Sequence, residues 1–406
     1  MAELNAPPRR ALLLENIHPR ATERLERTGI QVERLRGSLS EDELIERLDG
    51  VSLLGIRSKT QLTRQVIEAV PDLEVVGAFC IGTNQIDLDA CLDRGIPVFN
   101  APYANTRSVV ELALAQIIIL MRNVLEKSTL LHRGEWRKSS GVAREVRGKT
   151  LGIVGYGNIG AQLSILAEGL GMHVRYYDVV EKLALGNARA CRTLEELLER
   201  SDAVSVHVDG SRHNRNLFGA REFAMMKEGA VFINLSRGFV VDLDALKDAL
   251  ESGRIRSAAL DVFPEEPKAD GAGFESPLQG MPNVLLTPHI GGSTAEAQEK
   301  IAGFVPDKIL NYLELGSTRL SVNFPNLQLP GIQSAHRLAH IHRNVPGVLA
   351  RINQILADRG LNITGQYLNT NERVGYVITD VESNYDARVV DELQAIEETH
   401  RMRVLY

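Results

Sequence analysis

The sequence predicts an α/β protein: a doubly wound parallel-sheet domain, a second, discontinuous α/β domain and a small C-terminal ferredoxin-like domain. Three observations carry this expectation. Short apolar runs alternate with helix-patterned stretches from Ala11 to Leu286, the pattern of parallel sheets covered on both faces. A glycine turn, Gly155-Tyr156-Gly157-Asn158-Ile159-Gly160, joins one such run to a helix. Beyond a stretch of weak periodicity at 321–334, the order becomes strand, helix, strand, strand, helix, strand.

In the first domain, strands are expected at 12–14, 32–35, 51–56, 75–79 and 97–99, where apolar residues cluster. Polar helical stretches separate them. The clearest is 40–48, where Ser40 and Glu43 can form a capping box. This gives a flavodoxin-like parallel sheet. Residues 105–127 have the apolar centre of one long helix bridging two domains. His132-Arg133-Gly134-Glu135-Trp136-Arg137-Lys138 follows, basic and holding the only tryptophan. It reads as a solvated loop with a packed indole, or else as a positive lip for an anionic substrate or a subunit contact.

The next domain opens with a strand at 151–154, the glycine turn, an amphipathic helix at 161–171 and a strand at 174–177 that ends at Asp178. A dinucleotide needs this layout. Gly155 permits the tight turn, Gly157 lets backbone approach a pyrophosphate, and Gly160 lets the helix pack on the strand. Phosphates then meet unpaired N–H groups at the positive helix end. Asp178 can accept from a ribose diol and would repel a 2′-phosphate, so NAD is expected over NADP, although Lys182 follows closely. Strands at 203–208, 230–235, 258–263 and 284–286 bring the count to six, a complete NAD-binding Rossmann sheet. Residues 293–315 are helical again, with Pro306 as a kink. Too short to stand alone, this segment is expected to return to the first domain. The expected domains are 1–104 with 293–328, then 105–292, then 335–406 after the linker. In the last, strands are expected at 338–342, 362–368, 374–381 and 402–406, with helices at 348–356 and 387–398.

Ligands of open α/β sheets bind beyond the carboxyl ends of strands. Three successive strand ends carry reactive groups: Asn234-Leu235-Ser236-Arg237-Gly238, Asp261-Val262-Phe263-Pro264-Glu265-Glu266-Pro267 and Thr287-Pro288-His289-Ile290-Gly291-Gly292. Oxidising an alcohol beside a carboxylate needs a cation on the carboxylate, a base for the hydroxyl proton and a hydride facing the nicotinamide. Arg237 suits the first task because its planar fork grips a carboxylate and stays charged. His289 suits the second, since imidazole titrates near working pH. Glu266 can fix the tautomer of that imidazole.

Composition limits the alternatives. At 406 residues, 44% hydrophobic and 24% charged, the chain should form two or three globular domains. A net charge of −6 argues against a nucleic-acid partner. The three cysteines, Cys80, Cys91 and Cys191, lack a CxxC spacing, so neither disulfides nor a metal site are expected. The opening MAELNAPPRR has no apolar signal region, and the longest apolar run, 112–121, is too short to span a bilayer. A cytoplasmic protein without a membrane partner is expected.

The segments LSRG, DVFPEEP and LTPHIGGST behind GYGNIG resemble the D-isomer-specific 2-hydroxyacid dehydrogenases. So do IRSKT (56–60), NAPYANTRSVVE (100–111), HRGEW (132–136) and HIHRNVPGVL (340–349). The likeness runs almost end to end and is greatest to the short bacterial branch that acts on D-3-phosphoglycerate and ends in one ACT domain. It implies NAD-dependent oxidation of that substrate to 3-phosphohydroxypyruvate, the first step of L-serine biosynthesis, by a homotetramer inhibited by serine. Carried over by position, Arg237, Glu266 and His289 are the catalytic trio. Asn158, Ile159, Asp178, Leu235, Ser236, Asp261, Ile290, Gly291 and Gly292 line the cofactor with Arg237 and His289. Arg57, Ser58, Asn105 and Gln298 meet the substrate, and His342, Asn344 and Asn362 meet serine. Asn158 stands where relatives can have histidine, and the linker lacks the paired-glycine hinge of some relatives. A phosphorylated substrate would also account for the bases Arg57, Lys59, Arg137 and Lys138. Two other functions fit the same residues: a broader 2-hydroxyacid dehydrogenase or 2-oxoacid reductase, for example of 2-oxoglutarate, and an NADH-sensing binding protein.

Overall fold

A computed structural model describes residues 8–139, 141–267, 271, 273–329, 331, 336–382, 385 and 387–405. Pro330 and 332–334 of the expected linker, and Tyr406 of the expected last strand, lie outside the described residues. The chain forms two compact units, Met1–Pro102 with Gln298–Tyr406, and Tyr103–Ala297.

The first unit opens with β1 (Arg10–Leu13), α1 (Pro19–Glu26), β2 (Gln31–Arg34), α2 (Glu41–Arg47), β3 (Leu53–Ile56), α3 (Arg64–Ala69), β4 (Val75–Ala78), α4 (Leu88–Asp93) and β5 (Val98–Phe99). The strands form a five-stranded parallel sheet in the order β2-β1-β3-β4-β5. That is the flavodoxin-like order, whose switch point lies between β1 and β3. Every residue of β3 and β4 is buried, as expected of central strands with helices on both faces. The capping box of α2 is present: Ser40 N donates to Glu43 Oε2 at 2.9 Å, and Glu43 N to Ser40 Oγ at 3.5 Å.

The second unit holds α5 (Thr106–Met121), α6 (Val124–His132), β6 (Thr150–Val154), α7 (Asn158–Gly169), β7 (His173–Tyr177), β8 (Arg189–Ala190), α8 (Leu194–Arg200), β9 (Ala203–Val206), α9 (Ala220–Met225), β10 (Ala230–Asn234), α10 (Leu243–Glu251), β11 (Ile255–Leu260) and β12 (Val284–Leu286). Its parallel sheet runs β12-β11-β10-β9-β6-β7-β8, the doubly wound order extended by one strand. Seven strands replace the expected six. The extra one, β8, is a two-residue exposed edge, too short to carry an apolar period.

The expected single helix at 105–127 is broken. Asn123 takes the left-handed conformation (φ +54°) and its side chain donates to Glu126, so α5 and α6 meet at a 70° bend. Asparagine tolerates that conformation where most residues do not. Among the described residues no single helix is long and apolar enough to cross a membrane.

Back in the first unit, α11 (Ala295–Leu315, with its first three residues in the second unit) packs on the flavodoxin-like sheet. A Cβ on Gly77 of β4 would come within 2.9 Å of Val305 and Ile309. Then come β13 (His336–Arg343), α12 (Val348–Asp358), β14 (Ile363–Thr370), β15 (Val374–Val381), α13 (Ala387–Gln394) and β16 (Thr399–Val404). They form an antiparallel sheet in the order β14-β15-β13-β16, which with its two helices is the expected ferredoxin-like arrangement. The last strand starts earlier than expected. Thr399 pairs with His342 across a register shift, and its polar start gives no alternation to read.

Candidate active site

β6 runs into the turn at Gly155, where φ is +91° and a Cβ would lie 2.5 Å from the carbonyl oxygen of His207. Glycine is required there on both counts. At Gly160 a Cβ would sit 2.3 Å from Gly155 O and 2.9 Å from Ile153, so α7 packs on β6 at a separation that excludes a side chain. Gly157 differs: a Cβ there would meet nothing within 4 Å. Gly157 caps α7 with no side-chain hydrogen bond, which leaves the first N–H groups of the helix for a ligand.

A cleft of about 420 Å³ lies over this helix end, with Gly157, Asn158, Gln162, Ile165 and Lys182 in its walls. Asp178, just past β7, accepts from Tyr156 N at 2.8 Å and from Val180 N at 3.0 Å, one bond on each oxygen. Each oxygen keeps a lone pair, as a ribose diol requires. Tyr156 and Tyr176 stack with ring centres 3.8 Å apart. Tyr176 Oη donates to Lys182 O at 2.8 Å and Leu185 N to Tyr156 Oη at 3.3 Å, which ties the following loop to the turn. These features fit an adenine dinucleotide.

Arg237, Glu266 and His289 follow β10, β11 and β12. Glu266 Oε1 accepts from Phe263 N at 3.1 Å and its Oε2 lies 2.7 Å from His289 Nδ1. The carboxylate is an acceptor, so Nδ1 carries the proton and Nε2 is left as the basic nitrogen. Burial pushes the Glu266 carboxyl up. The hydrogen bond and charge of His289, the Phe263 N–H and the Arg237 guanidinium outweigh burial and hold it below the usual carboxylate range. The Glu266 carboxylate thus feels both His289 and Arg237. Arg237 is oriented by its bond to Ser236 O at 2.7 Å, and its carbonyl accepts from Asn234 Nδ2 at 3.0 Å. His289 has φ +52°, a conformation that persists only where the surroundings hold it.

Asp261 supplies that hold. Only 1% exposed, its carboxylate accepts from Thr287 Oγ1 (2.6 Å), Ile290 N (2.9 Å) and Gly291 N (2.7 Å). Leu235 and Ser236 are also buried, the latter with its N–H and hydroxyl both on Asn234 Oδ1. Ile290 is exposed, and a Cβ on Gly292 would lie 2.2 Å from Asn105 Nδ2. Asn105 therefore belongs to this second unit, while Arg57, Ser58 and Gln298 belong to the first.

The indole of Trp136 is not packed in this chain: the residue is 79% exposed. Arg137 pairs with Glu135 at 2.7 Å. In the tail, His342 Nδ1 lies 2.7 Å from Arg343 O, and its buried Nε2 has no partner among the described residues. Asn344 donates to Asn371 O and Asn362 to Glu382, each at 2.7 Å. Sequence reasoning passed over His207, whose carbonyl walls the glycine turn. Burial pushes its imidazole down to about 4, so it is neutral. The signal was available: it directly follows β9, the strand across the switch point from β6.

Residues 114–291 match the family described as D-isomer specific 2-hydroxyacid dehydrogenase, NAD binding domain, and 338–401 match the AHAS small subunit-like ACT domain. The chain is 51% identical to D-3-phosphoglycerate dehydrogenase of Haemophilus influenzae and 49% identical to that of Escherichia coli, over 97% of each chain. Among solved structures it resembles the D-lactate dehydrogenase of Aquifex aeolicus, complexed with NAD and lactic acid. That likeness has a TM-score of 0.66 at 26% identity, over 75% of this chain and 95% of that one. With the glycine turn, the strand-end trio and full-length identity in agreement, the chain belongs to the D-isomer-specific 2-hydroxyacid dehydrogenases, with an NAD-binding domain and a C-terminal ACT domain.

Proposed function

We propose that this chain is a cytoplasmic enzyme that oxidises D-3-phosphoglycerate to 3-phosphohydroxypyruvate with NAD⁺, the entry to L-serine. The observation that carries the reading is the 2.7 Å His289–Glu266 pair, with Arg237 acting on the Glu266 carboxylate, on the strand ends of a dinucleotide sheet. When bound, NAD⁺ supplies the hydride acceptor. Gly157, Asn158, Ile159 and Gly160 would hold its phosphates, Asp178 its ribose, and the segments at 235–237, 261 and 289–292 its nicotinamide end. Arg237 clamps the substrate carboxylate and draws electron density from the C–O bond. His289 Nε2 takes the hydroxyl proton, and Glu266 stabilises the imidazolium that results. Arg57, Ser58, Asn105 and Gln298 meet the remainder of the substrate. The proposed domains are a substrate domain (1–104 and 293–328), an NAD domain (105–292) and an ACT domain (335–406).

The test is NADH consumption with 3-phosphohydroxypyruvate, hydroxypyruvate and 2-oxoglutarate. At least about a tenfold preference for the phosphorylated acid in kcat/KM, worth roughly 1.4 kcal/mol, is expected. A smaller preference leaves only a general 2-oxoacid reductase.

The ACT domain is proposed to bind L-serine through His342, Asn344 and Asn362, in a homotetramer. Burial, opposed by the Arg343 carbonyl, lowers the His342 pKa, so Nε2 is a neutral acceptor suited to an ammonium group. Trp136 and, on α6, Val124 and Leu131 are exposed apolar side chains of the kind that a second subunit covers. Light scattering should give four chains, and serine should inhibit where glycine does not. A monomer unaffected by millimolar serine would defeat both parts.

A further inference from the structure

Glu15 sits just past the carboxyl end of β1, at the switch point of the flavodoxin-like sheet. It and Asn16 both take left-handed backbone (φ +60° and +53°), a strained choice for glutamate. The residue is 7% exposed. Its carboxylate gathers the backbone of the loop that follows β3. Oε1 accepts from Arg57 N at 3.1 Å and Thr60 N at 2.9 Å, and Oε2 accepts from Lys59 N at 2.9 Å. From the other side Gln85, 8% exposed, donates to Arg57 O and to Gly82 O. The loop is held by its N–H groups on one flank and by its first carbonyl on the other.

This arrangement decides how the loop can meet an anion. In a phosphate nest, successive N–H groups point at the ligand. Here three of the four N–H groups from Arg57 to Thr60 already serve a carboxylate, so the loop cannot form such a nest and a phosphate is met chiefly by side chains. Arg57 and Ser58 are the side chains that the reading above gives to the substrate, partly or fully exposed; the Arg57 guanidinium also donates to Glu15 O at 3.5 Å, and the directions of both depend on the loop that Glu15 holds. We propose that Glu15, with Gln85, is a positioning residue that sets the preference for a phosphorylated over an unphosphorylated hydroxy acid. The inference rests on the reading above, which gives Arg57 and Ser58 to the substrate.

The experiment uses the full chain with Glu15→Gln and, separately, Gln85→Leu. Glu15→Gln keeps size but turns one acceptor into a donor facing an N–H. KM for 3-phosphohydroxypyruvate should rise at least about tenfold in each variant, with kcat within about threefold of wild type. NADH binding, followed by fluorescence, and hydroxypyruvate kinetics should stay near wild type, so that the preference falls about tenfold. Equal losses on both substrates, or a preference retained at the wild-type ratio, would overturn the proposal. Should Glu15→Gln fail to fold, Gln85→Leu decides alone by the same ratio. A wild-type enzyme without any preference sinks the functional reading and this inference with it; a wild-type preference that survives in the variants sinks this inference only.

Discussion

Replacing His289 by alanine should lower kcat by at least about 100-fold, roughly 2.7 kcal/mol of barrier, while NADH still binds. The expectation follows from what the side chain does in the structure. Its Nδ1 is committed to Glu266 at 2.7 Å, so Nε2 is the nitrogen presented for proton transfer. The backbone that carries it is held independently, by three hydrogen bonds from Thr287, Ile290 and Gly291 to the Asp261 carboxylate. Removing the ring therefore leaves the loop and the glycine turn in place. NADH fluorescence titration measures the binding half of the expectation and steady-state oxidation the other. Turnover within tenfold of wild type would remove His289 from the base role.

Arg237→Lys should be nearly as damaging, with kcat/KM down by at least about 100-fold. Charge is conserved, so the loss isolates geometry. A guanidinium can bond Ser236 O, as it does here at 2.7 Å, and still present a fork to a carboxylate. An ammonium on a flexible stem has no such fork. The longer-range field on Glu266 is also kept, since lysine retains a cation there. If the lysine variant retained wild-type kcat/KM, the carboxylate clamp would have to lie elsewhere. Loss in kcat as well as in KM would indicate that the contact strengthens in the transition state.

The parts of this molecule that were legible in its sequence are those whose physical cause is local. The glycine turn announces itself because Gly155 needs positive φ and Gly160 must admit the carbonyl of Gly155 where a Cβ would stand; no other residue type serves. The capping box of Ser40 and Glu43 depends on residues three apart. The trio was visible as candidates because strand ends are where α/β sheets carry reactive groups. Other features gave little local signal. Asn123 breaks a helix that apolar patterning would run through, because one tolerant residue and a bond to Glu126 sufficed. Trp136, for which a packed indole and a lip or subunit contact were both open, is exposed in the single chain, because packing depends on what surrounds a side chain and not on its own hydrophobicity.

By itself the sequence determined the α/β class, the dinucleotide turn, the ferredoxin-like tail and the residue types available for chemistry. Each follows from short-range periodicity or from a backbone conformation that one residue type favours. Only the tertiary structure decided that Glu266 and His289 touch, that Asp261 turns inward to brace the histidine loop, and that Glu15 reaches across 42 to 45 positions of chain to hold the loop after β3. Those pairings depend on strand order in a parallel sheet, where neighbours in space are far apart in sequence and no local pattern records who meets whom.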